Sequence, residues 1–203
     1  MLNLAITFII WSVLHSLTAA TSCKAWVRRR LGERLYEGWY RLAYNVLAAV
    51  TFLPVLYLLA RLAPRQVLWE IGWPWSLLAG AVQVIGAAGV VVSLAQTDFW
   101  QFAGVEQAIR YLRGEGEVER PSGLRTDGLY RLVRHPLYFF SLLFLWFVPV
   151  MTLGFLLFNG VATLYFAIGS LVEERRLEAT FGEAYRRYRE RVPWLVPLPK
   201  RKT

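Results

Sequence analysis

Residues 137–172 form a run of 36 without a single charged side chain. A helix crosses the hydrocarbon core of a bilayer in about 20 residues, so this run is too long for one span and too apolar for a solvated loop. Pro149, Val150, Met151, Thr152, Leu153 and Gly154 sit near its middle. They predict a tight turn between two transmembrane helices of roughly 18 residues each. Three further runs of spanning length precede it. Residues 2–20 carry no charge, and residues 39–62 carry Arg41 and Arg61 only near their ends, where long side chains snorkel to the interface. Residues 75–96 are rich in Gly, Ala and Val, which let neighbouring helices approach closely. The expected fold is therefore all-α and integral to the membrane, with about five transmembrane helices ending in a C-terminal helical hairpin. Composition agrees: 18% of residues are charged, against roughly 25% in soluble domains, and mean hydropathy is +0.38. The one cysteine, Cys23, excludes an intrachain disulfide scaffold and a cysteine-based zinc cluster.

The basic residues test the span count independently. With five spans, 21 of the 23 Lys and Arg residues fall on one side of the membrane, leaving Arg61 and Arg65 for the other. The positive-inside rule then puts the N-terminus outside, the C-terminus in the cytoplasm, and any site built from the basic loops on the cytoplasmic face. The net charge of +9 is a topology signal whose partner is membrane lipid, and nucleic acid is not expected. The first run reads as a retained helix, not a cleaved signal, because its basic cluster from Lys24 follows it. Trp39, Trp69, Trp73, Trp75 and Trp100 fall at span ends, where indoles anchor to the interface.

Two regions are expected: residues 1–96, a three-helix membrane region, and residues 97–203, a core carrying the chemistry. In the core, Gly104, Gly114, Gly116, Pro121, Gly123 and Gly128 break the loop before the hairpin into short elements. After the hairpin, Leu177, Phe181, Tyr185 and Tyr188 predict an amphipathic helix from residue 173 to about Arg191, stopped by Val192-Pro193, with Pro197 and Pro199 keeping the tail extended. A hairpin returns its ends to one place. Arg134, His135 and Tyr138, which open it, must therefore meet Glu173 and Glu174, which close it, at the membrane surface. Two carboxylates at the C-terminal end of a transmembrane helix oppose its dipole and need cations, which Arg134 and Arg131 can supply. That arrangement is open to two readings, a structural salt bridge or a pocket for a zwitterion with an aromatic part. In the pocket, Arg and His would hold a carboxylate, Glu an ammonium, and Tyr and Trp faces an adenine or a sulfonium.

Arg134-His135-Pro136-x-Tyr138, together with Glu173-Glu174-x-x-Leu177-x-x-x-Phe181-Gly182-x-x-Tyr185-x-x-Tyr188-x-x-x-Val192-Pro193, resembles the paired C-terminal signature of the integral-membrane methyltransferases. That superfamily includes isoprenylcysteine carboxyl methyltransferases and phospholipid N-methyltransferases. Asp98-Phe99-x-x-Phe102-x-Gly104 and Trp146-x-x-Pro149-x-Met151-Thr152-Leu153-Gly154 are most similar to the methanethiol S-methyltransferase branch. The resemblance implies S-adenosylmethionine as cofactor, with His135, Tyr138, Glu173, Tyr185 and Tyr188 binding it. It implies catalytic or orienting roles for Arg134, Arg131 and Glu174. The acceptor would arrive from the bilayer as a small apolar thiol, a phospholipid amine or a prenylated cysteine. One departure from the pattern is Phe140, where the family often has Gly two residues after the motif Tyr. It implies a narrower pocket or altered helix packing. The N-terminal stretch around His15 more loosely resembles membrane proteins of the nitrite-respiration and carotene-isomerase group, some of which bind haem. On that alternative His15 and His135 would be ligands; otherwise His15 makes an interhelical hydrogen bond to Asn45 or Ser16.

Overall fold

In a computed structural model of the chain, the structure describes residues 2–115 and 123–198. Gly116, Arg120 and Pro121 of the loop, and Pro199 to Lys202 of the tail, lie outside the described residues. In chain order the elements are α1 (Leu2–Ala19), α2 (Thr21–Leu31), α3 (Glu33–Tyr57, continued by a wider turn Leu58–Leu62), β1 (Val67–Glu70), α4 (Trp75–Gln96), α5 (Phe99–Ala103), α6 (Val105–Leu112), α7 (Pro136–Trp146), β2 (Val150–Thr152), α8 (Leu153–Phe181) and α9 (Glu183–Arg191). A single 3-10 turn, Gly128–Arg131, precedes α7. The protein is an all-α integral membrane protein. Among the described residues, four helices are long and apolar enough to cross a membrane: α1, α3 with its continuation, α4 and α8.

The C-terminal hairpin differs in detail from two equal helices. Its first arm, α7, has 11 residues and its second, α8, has 29. Nothing after Val172 stops α8, because Glu173, Glu174, Arg175, Arg176, Leu177 and Glu178 are all good helix formers. The break comes at Gly182, whose φ of +50° suits glycine, so the expected helix from residue 173 is two pieces, the end of α8 and then α9. The connection between the arms is also more than a turn. Val150–Thr152 pairs antiparallel with Val67–Glu70, Ile71 N–H donates to Pro149 O at 2.9 Å, and Leu153 N–H donates to Gln66 O at 2.9 Å. Thr152 then caps α8 by accepting from Phe155 N–H at 3.2 Å.

The chain divides into two compact units: Met1–Arg65 with Thr97–Arg120, and Gln66–Gln96 with Pro121–Thr203. The third long helix thus groups with the hairpin. In the first unit, Trp11 Nε1–H donates to Ala48 O at 3.0 Å, joining α1 to α3. Asn45 Nδ2–H donates to Phe102 O and Ala103 O at 2.9 and 3.1 Å, fixing the end of α5 on α3. Gly104, at φ +86°, lets that turn approach so closely that a Cβ there would lie 2.3 Å from Leu42 N. In the second unit, α4 and α7 meet through two glycines. A Cβ on Gly86 would lie 2.6 Å from the Phe144 backbone N, and one on Gly89 would lie 2.1 Å from the Phe140 ring. Phe140 is therefore accommodated by Gly89. Its ring fills the α4–α7 interface, which answers to the packing expectation for this residue.

Candidate functional site

Pro136 opens α7 at a position where its missing N–H is not needed, and this sets His135 as the residue before the helix. About six turns along α8 from its start, Glu173 and Glu174 reach the same place. Arg134 Nε and Glu174 Oε1 form an ion pair of 2.8 Å, with both side chains largely buried, 9% and 12% exposed. His135 stands between the carboxylates: Nε2 is 3.3 Å from Glu174 Oε1 and Nδ1 is 3.4 Å from Glu173 Oε2. Tyr138 Oη–H donates to Glu173 Oε2 at 3.3 Å. The Glu173 side chain remains 49% exposed. The imidazole, the Tyr138 ring and the Phe166 ring stack in a ladder, with centroids 5.6 and 5.1 Å apart and planes within 13° of parallel.

The C-terminal segment closes the buried side of this cluster. Arg134 N–H donates to both Pro193 O and Trp194 O at 2.9 and 3.1 Å, and Arg134 Nη1–H donates to Arg189 O at 3.1 Å. Trp194 Nε1–H donates to the wholly buried Ser170 hydroxyl at 3.1 Å. Arg134 thus ties α7 to α8 through charge and to α9 and the tail through backbone carbonyls. The guanidinium fork serves Glu174 and the Arg189 carbonyl at once, and the main-chain N–H serves the two tail carbonyls.

Tyr185 and Tyr188 are not on the open side. They form a buried cluster with Val192, against which Leu124, Tyr130, Leu177 and Phe181 pack. Tyr188 Oη–H donates to Tyr130 O at 2.7 Å. Burial, followed by the Glu174 charge, raises the Tyr185 phenol well above its usual range, and burial does the same for Tyr188. Both phenols are protonated at neutral pH, so neither is a base. Arg131 is exposed on the 3-10 turn, and among the described residues the ion pairs of the two glutamates go to Arg134 and His135 instead. A hydrogen bond from Arg125 holds the Asp127 carboxyl below the usual range, and the Arg131 charge adds a smaller pull in the same direction. In the other unit, Tyr44 Oη is 2.6 Å from His15 Nε2, and Trp11 stacks on the His15 ring at 4.9 Å. The hydrogen bond expected from Asn45 or Ser16 is thus made by Tyr44, since Asn45 is engaged with α5. Among the described residues no group of three or more His, Cys, Asp or Glu side chains could hold a metal ion.

The sequence motifs give Trp194 a place in the cover of the site but do not single out Phe166 or Ser170. Phe166 and Ser170 precede Glu173 by seven and three residues on one helix, so helical spacing places them on its face.

The arrangement is that of a membrane protein with a charged, aromatic-lined rim where the two ends of a helical hairpin meet. The chain belongs to the NnrU protein family, whose model matches residues 3–191. It is 33% identical over 191 residues to methanethiol S-methyltransferase 1 of Bradyrhizobium diazoefficiens, covering 93% of this chain and 64% of that protein. It is 34% identical over 195 residues to methanethiol S-methyltransferase of Mycobacterium tuberculosis, covering 96% and 77% respectively. Human nurim is 28% identical over 168 residues, covering 80% of this chain and 62% of that protein. The chain thus spans only about two thirds of the length of the first of these relatives. No solved structure gives a significant match.

Proposed function

We propose that this protein is a membrane methyltransferase that transfers the methyl group of S-adenosylmethionine to a small apolar or membrane-partitioned thiol, on the cytoplasmic face. The observation that carries the donor site is the contrast between the sealed Arg134–Glu174 pair and the half-exposed Glu173 beside it. A carboxylate whose partners here are a phenol and an imidazole is free to accept an ammonium group, and the His135–Tyr138–Phe166 ladder offers aromatic faces to a sulfonium or an adenine. The donor set therefore fits S-adenosylmethionine, which when bound supplies an electrophilic methyl on a positively charged sulfur. The chain's part is positional. Glu173, Tyr138 and His135 hold the amino-acid end, the Arg134–Glu174 pair fixes α7 against α8, and the C-terminal segment excludes water. Thiol acceptance is supported by the names of relatives aligned over more than nine tenths of the chain. Carboxyl or amine methylation of a lipid or isoprenylcysteine is the alternative acceptor chemistry.

The test is transfer from methyl-labelled S-adenosylmethionine in membranes containing the full chain. Methanethiol, a phospholipid amine and a prenylcysteine are offered separately. Label recovered as dimethyl sulfide is the expected result. Label on lipid or prenylcysteine alone would replace the acceptor, and no label on any of them would overturn the methyltransferase reading.

A further inference from the structure

Helix α2 takes no part in the site described above, and its sequence is unlike any other in the chain. Its eleven residues include Lys24, Arg28, Arg29 and Arg30 and no acid. It follows the spanning helix α1 after one residue, Ala20, and precedes the spanning helix α3 by one residue, Gly32. It must therefore lie at a bilayer surface, where charged side chains meet phosphate headgroups. Its cations are not equivalent. Arg28 is turned to the protein, where it pairs with Glu37 and, at 3.3 Å, with Glu33, and lies over the Tyr36 ring at 4.7 Å. Arg29 and Arg30 are exposed and among the described residues make no ion pair. Arg30 instead lies over the indole of Trp26, 5.7 Å from its centroid, and that indole is itself 54% exposed. Ser22, Trp26 and Arg29 recur at spacings of four and three, so one outward face carries a hydroxyl, an indole and a guanidinium, with Arg30 alongside.

We propose that this face of α2 is a binding surface for an anionic phospholipid, with Arg29 and Arg30 on the headgroup phosphate and Trp26 at the level of the ester region. Charge complementarity selects the occupant. Two unneutralised guanidinium forks match a phosphodiester geometrically, and an exposed indole next to them is stable where headgroup gives way to acyl chain. A zwitterionic headgroup offers the same phosphate, but its attached cation opposes the arginines. The surface therefore discriminates by net charge. The inference is independent of methyl transfer, because none of these residues belongs to the rim around Glu173.

The experiment uses the full chain in nanodiscs of phosphatidylcholine with and without phosphatidylglycerol, read by thermal unfolding and by native mass spectrometry of retained lipid. The unchanged protein should retain phosphatidylglycerol and melt higher with it. Arg29→Gln with Arg30→Gln should weaken retention by roughly tenfold or more, since each interfacial arginine adds to the attraction. Arg61→Gln with Arg65→Gln removes the same charge elsewhere and should leave retention as it was. Equal loss in both variants would mean a net-charge effect and overturn the proposal. So would equal stabilisation by inorganic phosphate in detergent, which would mean a free-anion site. Should the double variant fail to fold, brominated phosphatidylglycerol decides. It should quench emission of the unchanged chain more than that of Trp26→Phe, and equal quenching of both would overturn the assignment.

Discussion

Glu173 and Glu174 are neighbours on one helix, yet one stands at a rim and the other lies in a sealed floor. Glu174 is 12% exposed and bound to Arg134, while Glu173 is 49% exposed and touched by His135 and Tyr138. Successive residues on a helix point about a quarter turn apart, enough at the edge of a packed cluster to separate a structural role from a ligand-binding one. A salt bridge and a zwitterion pocket are alternatives only if both carboxylates are treated alike. Divided between the two residues, the readings are compatible, with Glu174 in the salt bridge and Glu173 the proposed ligand contact.

The largest effect should come from breaking the floor. Arg134→Ala leaves the Glu174 carboxylate buried without its guanidinium and frees the carbonyl of Arg189, while the main-chain bonds to Pro193 and Trp194 remain. Loss of one partner of a buried pair is expected to cost about 3–5 kcal/mol in unfolding measured in detergent. Arg134→Met combined with Glu174→Leu removes both charges and should recover much of that loss. If the double variant is no better than the single, the pair is not what holds the floor.

A second variant disturbs packing without touching either glutamate. Gly89→Ala drives a methyl group into the Phe140 ring and should cost about 1–3 kcal/mol of stability by overpacking. Protein that remains folded should bind S-adenosylmethionine normally. Phe140→Leu in the same chain should relieve part of the strain. Reduced affinity in the folded fraction would show that α4 packing shapes the rim as well as the floor.

That interface also shows what a sequence conceals. The spans could be read from residues 2–20, 39–62 and 75–96 because burial in lipid depends on local composition. The meeting of Arg134 and His135 with Glu173 and Glu174 could be inferred because a hairpin closes on itself whatever its turn. The match of Phe140 to Gly89 could not, since nothing local says which glycine faces which ring. Nor could the pairing of Val150–Thr152 with Val67–Glu70, where three residues after a proline look like any turn. The even division of the 36-residue run failed for a related reason: helix length is decided by stop signals, and the first one after Leu153 is Gly182. The regular stripe of Leu177, Phe181, Tyr185 and Tyr188 runs across that glycine and hides it. The two tyrosines that the resemblance puts against the cofactor are buried in a cluster with Val192.

Glu173→Gln should be the complement of Arg134→Ala. The side chain is half exposed, so stability should change by no more than about 0.5 kcal/mol. Affinity for S-adenosylmethionine, measured by calorimetry, should fall about ten- to a hundredfold through loss of one charge-assisted contact. Unchanged affinity with intact folding would return Glu173 to a structural role and leave the rim without its ammonium partner.

The smallest expected effect concerns the hydrogen bond between Trp194 and Ser170, which fixes the tail against α8. Ser170 is wholly buried, and its hydroxyl accepts from the indole while donating to Ala167 O at 2.8 Å. Trp194→Phe removes the donor and keeps an aromatic ring, so about 1 kcal/mol should be lost, the net worth of one such bond. Ser170→Ala leaves the indole N–H unmatched and should cost as much or somewhat more. Because both changes delete one interaction, the double variant should be no worse than the poorer single, and the cycle measures the bond directly. Full additivity would mean that the two side chains act separately and that the tail is held by the Arg134 backbone contacts alone. The same variants also bear on the two glutamates. If the tail seals only the floor, affinity for S-adenosylmethionine stays unchanged while stability falls. A matching loss of affinity would instead place Trp194 over the rim, as part of the surface that covers Glu173.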